Sequence, residues 1–282
     1  MINVLFNYVD IVVIVCVAII CLAISIYLFL AYHNNPCVTC SEASRCSKAK
    51  KMQPKRVKEY HKCYGKNRIE NVFFDFNGTI LDDLDLCYQL LLEMLDKENL
   101  KRVSMNEYRT LFDFPVKDYY AKVGFDFSKI GYKDISNYFF SNYMERWPKE
   151  TRIFNDFRKT ITKLKKQNIK VFIITASEEN LLLKQLDYFN IKDLFDGYVA
   201  SKDIKANSKV ENAKDFIKEN NLNPRKSIMF GDTVHDALVA KEIGIKCVLF
   251  SKGHNTKKKL KDTGLPVVNS YKALYKYIEK NI

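Results

Sequence analysis

The sequence predicts an α/β fold whose core is a doubly wound parallel sheet, and two observations favour it. Short continuous apolar runs, each as long as a buried strand, occur at 72–74, 170–175 and 226–230. Segments with helical spacing of apolar residues separate them, and strands that alternate with helices are typical of parallel sheets. Of the 282 residues, 47% are hydrophobic and 13% aromatic, which is enough apolar material for a large core.

A membrane anchor is predicted near the N-terminus, ahead of the α/β part. Residues 11–32 form a run of 22 residues without charge, Pro or Gly. A helix of this length measures about 33 Å, which is enough to cross a bilayer core of about 30 Å. A cleaved signal peptide would instead need a basic start and small residues at a cleavage site. We therefore expect an uncleaved single-pass anchor in the lipid bilayer, after a short extracytoplasmic N-terminus at 1–10.

Positive charge is concentrated in the segment 33–70, directly after the predicted anchor. This segment holds ten Lys or Arg against three acids, so it contributes +7 to the formal net charge of +13. Basic flanks of an anchor face the cytoplasm, so we expect the rest of the chain there. We interpret 33–70 as a tether, either solvated or lying against anionic headgroups. Nucleic acid is not expected as a partner, because the segment lacks interleaved aromatic side chains for base stacking.

Four of the eight cysteines lie in this tether: Cys37, Cys40, Cys46 and Cys63. The Cys37-x-x-Cys40 pair could bind a metal together with the other two, but those two do not form a second close pair. Reduced or acylated thiols are the simpler interpretation, and a reducing cytoplasm argues against disulfides.

The first strand is predicted at Val72-Phe73-Phe74, and it ends on the carboxylate of Asp75. The next residues, Asn77-Gly78-Thr79, have the turn chemistry that leads a chain away from a strand end. In an open α/β sheet, ligands bind in the crevice at the carboxyl ends of the strands. Asp75 is therefore expected at the mouth of a site, although this stretch alone is also compatible with a turn-capping Asp.

A helical insertion is predicted after this strand. Apolar residues between Leu84 and Leu95 recur at helical spacing, and helical or irregular segments rich in Tyr and Phe continue to about Trp147. Most of these aromatic side chains are expected to pack between helices. The candidates for facing a pocket are Phe114, Tyr119 and Tyr120.

Helices and strands alternate from Phe154 onward. The pattern predicts a helix over Phe154–Gln167, a strand over Lys170–Thr175, and a helix through Leu181–Tyr188 that Ser177 could cap. The other predicted elements are strands at 197–200, 226–230, 247–250 and 267–268 and helices at 209–220, 235–243 and 271–282.

Three of the predicted strands end in polar residues that suit one common site. Asp75 and Thr175 follow two of them, and Asp232 follows a third, with Asp236 four residues later. A parallel sheet brings these ends to one edge, where converging carboxylates form a hard-oxygen site suited to Mg²⁺. A Lys at the rim would complete a phosphate site, together with the Thr hydroxyl and backbone N–H groups.

Residues 71–282 resemble the haloacid dehalogenase (HAD) superfamily, and within it the phosphoglycolate phosphatase-like proteins. Four motifs carry the resemblance: Asp75-Phe76-Asn77-Gly78-Thr79, Thr175, Lys209, and Gly231-Asp232 with Asp236. Lys202 and Lys205 compete for the third motif. Lys209 is preferred because it lies where a helix is predicted to begin, 23 residues before Asp232.

The resemblance implies a Rossmann-like HAD core formed by 71–83 and 150–282, with a small helical cap at 84–149. It implies a Mg²⁺-dependent phosphatase that hydrolyses a small phosphate monoester, a phosphorylated metabolite, through an aspartyl-phosphate. In this family Asp75 would be the nucleophile and, with the Asn77 carbonyl, Asp232 and Asp236, would hold the metal. The substrate-binding set that it implies comprises Thr175, Ala176, Lys209 and Gly78.

Asn77 departs from the family pattern, which has an Asp at this position to protonate the leaving group and later activate water. An amide cannot exchange this proton, and losing such help typically costs about 10²–10⁴ in rate. The departure predicts a slow phosphatase, one that prefers a good leaving group, or one in which His235 or His254 substitutes.

A different class of function also fits the departure at Asn77. The alternative is a catalytically weak or silent HAD domain that binds a phosphorylated ligand or a protein at the membrane. Asp82 and Asp83 are interpreted as polar residues of the rim or the cap hinge, not as ligands. The oligomeric state is left open by the sequence.

Overall fold

The computed structural model describes residues 68–201 and 209–280. The strands in this part of the chain are β1 (Asn71–Phe74), β2 (Leu81–Asp82), β3 (Arg152–Ile153), β4 (Lys170–Glu178), β5 (Gly197–Ser201), β6 (Ser227–Gly231), β7 (Lys246–Phe250) and β8 (Val267–Val268). The α-helices are α1 (Leu84–Lys97), α2 (Met105–Leu111), α3 (Val116–Lys122), α4 (Tyr132–Glu150), α5 (Phe157–Lys166), α6 (Glu179–Tyr188), α7 (Lys209–Glu219), α8 (Val234–Glu242), α9 (Lys257–Asp262) and α10 (Tyr271–Glu279).

Six of these strands form one parallel sheet in the order β5-β4-β1-β6-β7-β8. All four residues of β1 are buried, as expected for a strand with a neighbour on each side. Phe74, the last residue of β1, lies in register with Ile173 of β4 and Phe230 of β6. The carboxyl ends of three strands therefore meet beside Asp75, as the sequence predicts.

Helices cover both faces of this sheet, because the strand side chains alternate in direction. Phe74 belongs to one apolar cluster with Phe157 of α5 and Leu274 of α10. Phe73 belongs to the opposite cluster, with Val239 of α8. The prediction of a doubly wound, Rossmann-like parallel sheet is confirmed.

Four helices, α1 to α4, lie between β2 and β3, which pair antiparallel with Leu81 opposite Ile153. Aromatic side chains fill a separate cluster among these helices. Tyr119 and Tyr120 are part of it and are buried, and whether either faces a pocket stays a prediction. Phe114 is exposed. The segment is helical where the cap is predicted, and its closure over the site remains a prediction.

Two predicted helix starts need correction. The helix predicted from Phe154 begins at Phe157, because the backbone N–H of Phe154 donates to Ile80 and Asp156 turns the chain with φ 61°. Ser177 does not cap α6. Glu178 takes that position, with its carboxylate accepting from the backbone N–H of Asn180.

The predicted anchor at 11–32, the tether at 33–70 and the metal site at its cysteines lie outside the described residues, except for the last three residues of the tether range. Within 68–201 and 209–280, no helix combines the length and the apolar character that a membrane span requires.

Candidate active site

Asp75 occupies the central position at the carboxyl end of the sheet. Its backbone N–H donates to the Phe230 carbonyl at 2.9 Å, which fixes the residue against β6. Lys209, the first residue of α7, places its ammonium 2.6 Å from Asp75 Oδ1 and 2.9 Å from Asp236 Oδ1. One lysine thus bridges two carboxylates from different strand ends.

Asp236 has a second role at the start of α8. Its Oδ2 accepts from the backbone N–H of Thr233 at 3.0 Å and from the Thr233 hydroxyl at 2.7 Å. The Thr233 hydroxyl in turn accepts from the Asp236 N–H, which completes a reciprocal cap of the helix. Both oxygens of Asp236 are therefore engaged by protein groups. Its role is to hold Lys209 and the start of α8 in place.

Asp232 is fully buried and is held from two other sides. Its Oδ1 accepts from the Thr79 hydroxyl at 2.9 Å, and its Oδ2 accepts from the backbone N–H of His254 at 2.6 Å. Gly78 packs directly against this carboxylate with φ +71°. A Cβ built on Gly78 would lie 2.4 Å from Asp232 Oδ2.

Replacement of Gly78 by Ala is expected to destabilise the fold by about 2–4 kcal/mol, because it adds backbone strain and a steric clash. Gly244→Ala is the matched control. Gly244 has φ +74° but open space around its Cβ position, so it should lose only the strain, about 1 kcal/mol. Urea unfolding of both variants measures the difference. Equal losses would show that contact with Asp232 does not constrain position 78.

Asp75, Asp232 and Asp236 bring carboxylate oxygens within 4.8 Å of one another. Burial, together with the negative charges of Asp236 and Asp232, raises the pKa of Asp75 well above its ordinary value. Burial also raises the pKa of Asp232 to about 6. For Asp236 burial acts in the same direction, but the charge and hydrogen bond of Lys209 lower its pKa overall. Lys209 alone does not balance three buried carboxylates, and this donor set fits a hard divalent cation.

This electrostatic arrangement predicts a pH dependence of stability. Without metal, the raised pKa of Asp232 means that the folded state binds its proton more tightly than the unfolded state. The stabilisation from that proton is full below about pH 4 and is lost as pH rises through about 6. In EDTA, Asp232→Asn should therefore gain about 2–3 kcal/mol relative to the wild type between pH 4 and 7. Urea unfolding at several pH values tests this, and a difference independent of pH would contradict it.

The side chain of Asn77 is held at three points beside this cluster. Its amide nitrogen donates to Asp83 Oδ2 at 2.8 Å and to the Tyr143 hydroxyl at 3.0 Å. Its amide oxygen accepts from the Ser177 hydroxyl at 2.7 Å. Ser177, predicted as a helix cap, instead joins the β4 end to Asn77. The amide is thus locked in one orientation.

Asp83 is buried and accepts several hydrogen bonds, so the rim interpretation is wrong for it, while its position directly before α1 leaves the hinge interpretation a prediction. The carboxylate of Asp83 accepts hydrogen bonds from the Asn77 amide, the Tyr143 hydroxyl and, at 2.9 Å, the backbone N–H of Gly78. His254 Nε2 lies 3.2 Å from its Oδ1. The rim interpretation fits Asp82, which pairs with the exposed Arg152.

His254 is buried between Asp83 and Tyr108, whose hydroxyl lies 2.8 Å from Nδ1. Burial acts to lower the pKa of His254, but the hydrogen bond and charge of Asp83 outweigh it and raise the pKa. Both ring nitrogens are therefore engaged inside the protein. His235, the other candidate, packs with its ring centroid 4.6 Å from that of Phe114.

Comparison with known families identifies the family of this α/β fold. Residues 72–250 match the family model of the haloacid dehalogenase-like hydrolases. The chain belongs to this family. Its HAD-like region includes β1, the helical insertion and the strands up to β7.

Named relatives and solved structures agree with this assignment. A Bacillus cereus protein named pyrophosphatase PpaX is 22% identical over 190 residues, which cover 65% of this chain and 84% of that protein. A Caldanaerobacter subterraneus protein provisionally named pyrophosphatase PpaX is 25% identical over 186 residues, 64% of this chain and 81% of its own. The structure of a predicted phosphatase from Clostridium acetobutylicum superposes with a TM-score of 0.65 at 19% identity, over 76% of this chain and 99% of that one.

Within this HAD-like site, the predicted substrate-binding residues differ in their surroundings. Thr175 is buried, and its hydroxyl accepts from the backbone N–H of Ser177 at 3.1 Å. Ala176, next along β4, is exposed at the strand end. The N–H of Gly78 donates to Asp83 and to the Leu81 carbonyl, so it is engaged within its own loop. Lys202 and Lys205, the competitors of Lys209, lie outside the described residues.

Proposed function

We propose that this protein is a Mg²⁺-dependent phosphohydrolase that acts on a small phosphorylated metabolite with Asp75 as its nucleophile. The observation that carries the proposal is the contact of Lys209 with Asp75 and Asp236 beside Asp232, since it joins three of the four family motifs. The names of the relatives, which include pyrophosphatases, support phosphoryl-transfer chemistry.

The metal would be held by Asp75, Asp232 and the backbone carbonyl of Asn77, with Asp236 in support. When bound, Mg²⁺ supplies positive charge that offsets the phosphoryl oxygens and the clustered carboxylates. Lys209 adds a further positive charge and orients Asp75 through its 2.6 Å contact. The Thr175 hydroxyl and the backbone N–H of Ala176 would complete the phosphoryl site.

Asp75 would attack phosphorus to form an aspartyl-phosphate, while the bond between phosphorus and the leaving oxygen breaks. The leaving group takes the electron pair of that bond. The amide of Asn77 is too weak an acid to protonate it, and both nitrogens of His254 are engaged by Asp83 and Tyr108. We therefore propose that good leaving groups are preferred, such as the phosphate released from a phosphoanhydride. Water then hydrolyses the acyl phosphate and regenerates Asp75.

Phosphate release by the full chain in detergent tests this proposal. We expect hydrolysis of an aryl phosphate and of pyrophosphate with Mg²⁺, and loss of both activities in EDTA that Mg²⁺ restores. A panel of metabolite phosphates then defines the substrate. Absence of turnover on every substrate, with tight binding of a phosphorylated ligand, would instead identify a silent binding module.

For localisation, we propose a single-pass membrane protein anchored by residues 11–32, with its catalytic part in the cytoplasm. The support is the uncharged run of 22 residues and the basic segment that follows it. Carbonate extraction and protease accessibility of sealed membranes measure both points. Release of the intact chain by carbonate would contradict the anchor.

A further inference from the structure

A second group of side chains of metal-ligand type lies next to the proposed active site and has no role in the proposed reaction. Asp83, Cys87 and His254 bring one oxygen, one sulfur and one nitrogen within 4.8 Å of one another. Asp83 and Cys87 are one helical turn apart at the start of α1, where the N–H of Cys87 donates to the Asp83 carbonyl at 3.0 Å. His254 comes from the loop after β7.

The distances between these atoms are close to those of a tetrahedral metal site. Zinc bonds of about 2.0–2.3 Å at tetrahedral angles place ligand atoms about 3.3–3.8 Å apart. His254 Nε2 lies 3.2 Å from Asp83 Oδ1, and Cys87 Sγ lies 3.7 Å from Asp83 Oδ2. The Asp83 carboxylate thus lies at ligand-to-ligand distance from both partners, through one oxygen each, and all three side chains lie within 4.8 Å. One Cys, one His and one Asp leave a fourth position for water.

Neighbouring side chains hydrogen-bond to two of these three residues and fix their orientation, as is common around metal ligands. The second nitrogen of His254, Nδ1, lies 2.8 Å from the Tyr108 hydroxyl, which fixes the ring so that Nε2 faces the cluster. Tyr143 and Asn77 donate to Asp83. Cys87 itself is half-buried at the start of α1.

We propose that Asp83, Cys87 and His254 form a site for a transition-metal ion of the zinc class, distinct from the all-oxygen site of Asp75 and Asp232. Thiolate and imidazole ligands select such ions over Mg²⁺. Binding replaces two protons, one from the Cys87 thiol and one from His254 Nε2, and both pass to solvent.

The ion would act on the neighbouring reaction site through Asp83. Both oxygens of Asp83 accept hydrogen bonds from the loop of the first motif, one from the Gly78 N–H and one from Asn77. A metal on Asp83 competes for the same lone pairs and shifts this loop. On the proposed function, Zn²⁺ therefore inhibits hydrolysis even when Mg²⁺ is in excess.

Cobalt binding tests the site without reference to activity. The probe is Co²⁺ added to the full chain with Cys37, Cys40, Cys46 and Cys63 changed to Ser, which removes the tether thiols. With Mg²⁺ in excess to occupy the carboxylates of Asp75 and Asp232, we expect one Co²⁺ per chain and a thiolate-to-cobalt charge-transfer band in the near ultraviolet. Cys87→Ser should abolish the band and weaken binding by more than about 100-fold, and Tyr108→Phe should weaken it by about tenfold.

Cys247→Ser is the matched control, because Cys247 is a free thiol in β7 that lies outside the cluster. It should leave the band unchanged. His254→Gln should remove binding as Cys87→Ser does, so that misfolding of one variant does not decide the outcome. A band that persists in both variants, or no band in the parent protein, would leave only a buried Asp–His ion pair and overturn the proposal.

Inhibition by Zn²⁺ is the second experiment, and it tests the proposed effect of the ion on hydrolysis. With Mg²⁺ in excess, Cys87→Ser should raise the Zn²⁺ concentration for half-inhibition by more than about tenfold, whereas Cys247→Ser should not. Equal inhibition of both variants would mean that Zn²⁺ acts at the carboxylates of Asp75 and Asp232, which overturns the regulatory effect. The cobalt band still decides the site itself, even if the protein has no hydrolase activity.

Discussion

Asp75→Asn is expected to lower the rate of phosphate release by about 10⁴-fold or more. Loss of a nucleophile removes the covalent step entirely, and what remains is the stabilisation that other groups give. The amide oxygen of Asn can still accept from the Lys209 ammonium, which lies 2.6 Å from Asp75 Oδ1, so the fold should be kept. Initial rates with an aryl phosphate and Mg²⁺ measure the effect. A variant as active as the wild type would exclude Asp75 as the nucleophile.

Asp82→Asn is the matched control for this experiment. It makes the same chemical change seven residues away, where the carboxylate pairs with the exposed Arg152 and lies outside the cluster. Its rate should stay within about twofold of the wild type. Intact-mass measurement after brief exposure to substrate adds a direct readout. One phosphoryl group should appear on the wild type and on Asp82→Asn, and none on Asp75→Asn.

The sequence predicts the sheet and the strand-end carboxylates because both leave local signals. Each central strand is a continuous buried run, and in a parallel sheet the residues after such runs must meet at one edge. Asp75 and Asp232 could therefore be placed before any contact was known, whereas Lys209 was assigned through the family resemblance and its place at a predicted helix start. β2 and β3 were not predicted, because each has two residues and is too short to show an alternation of apolar and polar side chains.

The environment of Asn77 could not be predicted in the same way. His254 and Asp83 are 171 positions apart, and Tyr143 is 60 from Asp83. In the sequence, Asp83 is one of several acids in a polar turn, and nothing local distinguishes a buried ion pair from a solvated carboxylate. The signal that the sequence did offer was the pair Asp83 and Cys87, which lie one helical turn apart and are both metal-ligand types.

Asn77→Asp is expected to raise hydrolysis of alkyl phosphates by about 10²–10⁴-fold, because it restores the missing proton donor. Aryl phosphates should gain much less, since their leaving groups depart readily without a proton. An Asp at position 77 should stay protonated, because Asp83 Oδ2 lies 2.8 Å from the Asn77 amide nitrogen. Two carboxyl groups at that distance share a proton, which keeps one of them protonated near neutral pH. The ratio of alkyl to aryl rates measures the effect.

A matched variant separates restored chemistry from carboxylate repulsion. Asn77→Asp combined with Asp83→Asn exchanges the two groups across the same contact and keeps one negative charge between them. If repulsion limits the single variant, the exchanged pair should recover stability while keeping the raised alkyl-to-aryl ratio. Asp83→Asn alone should not raise that ratio. If neither variant with Asp at position 77 changes the ratio, another group already supplies the proton, and the preference for good leaving groups must be abandoned.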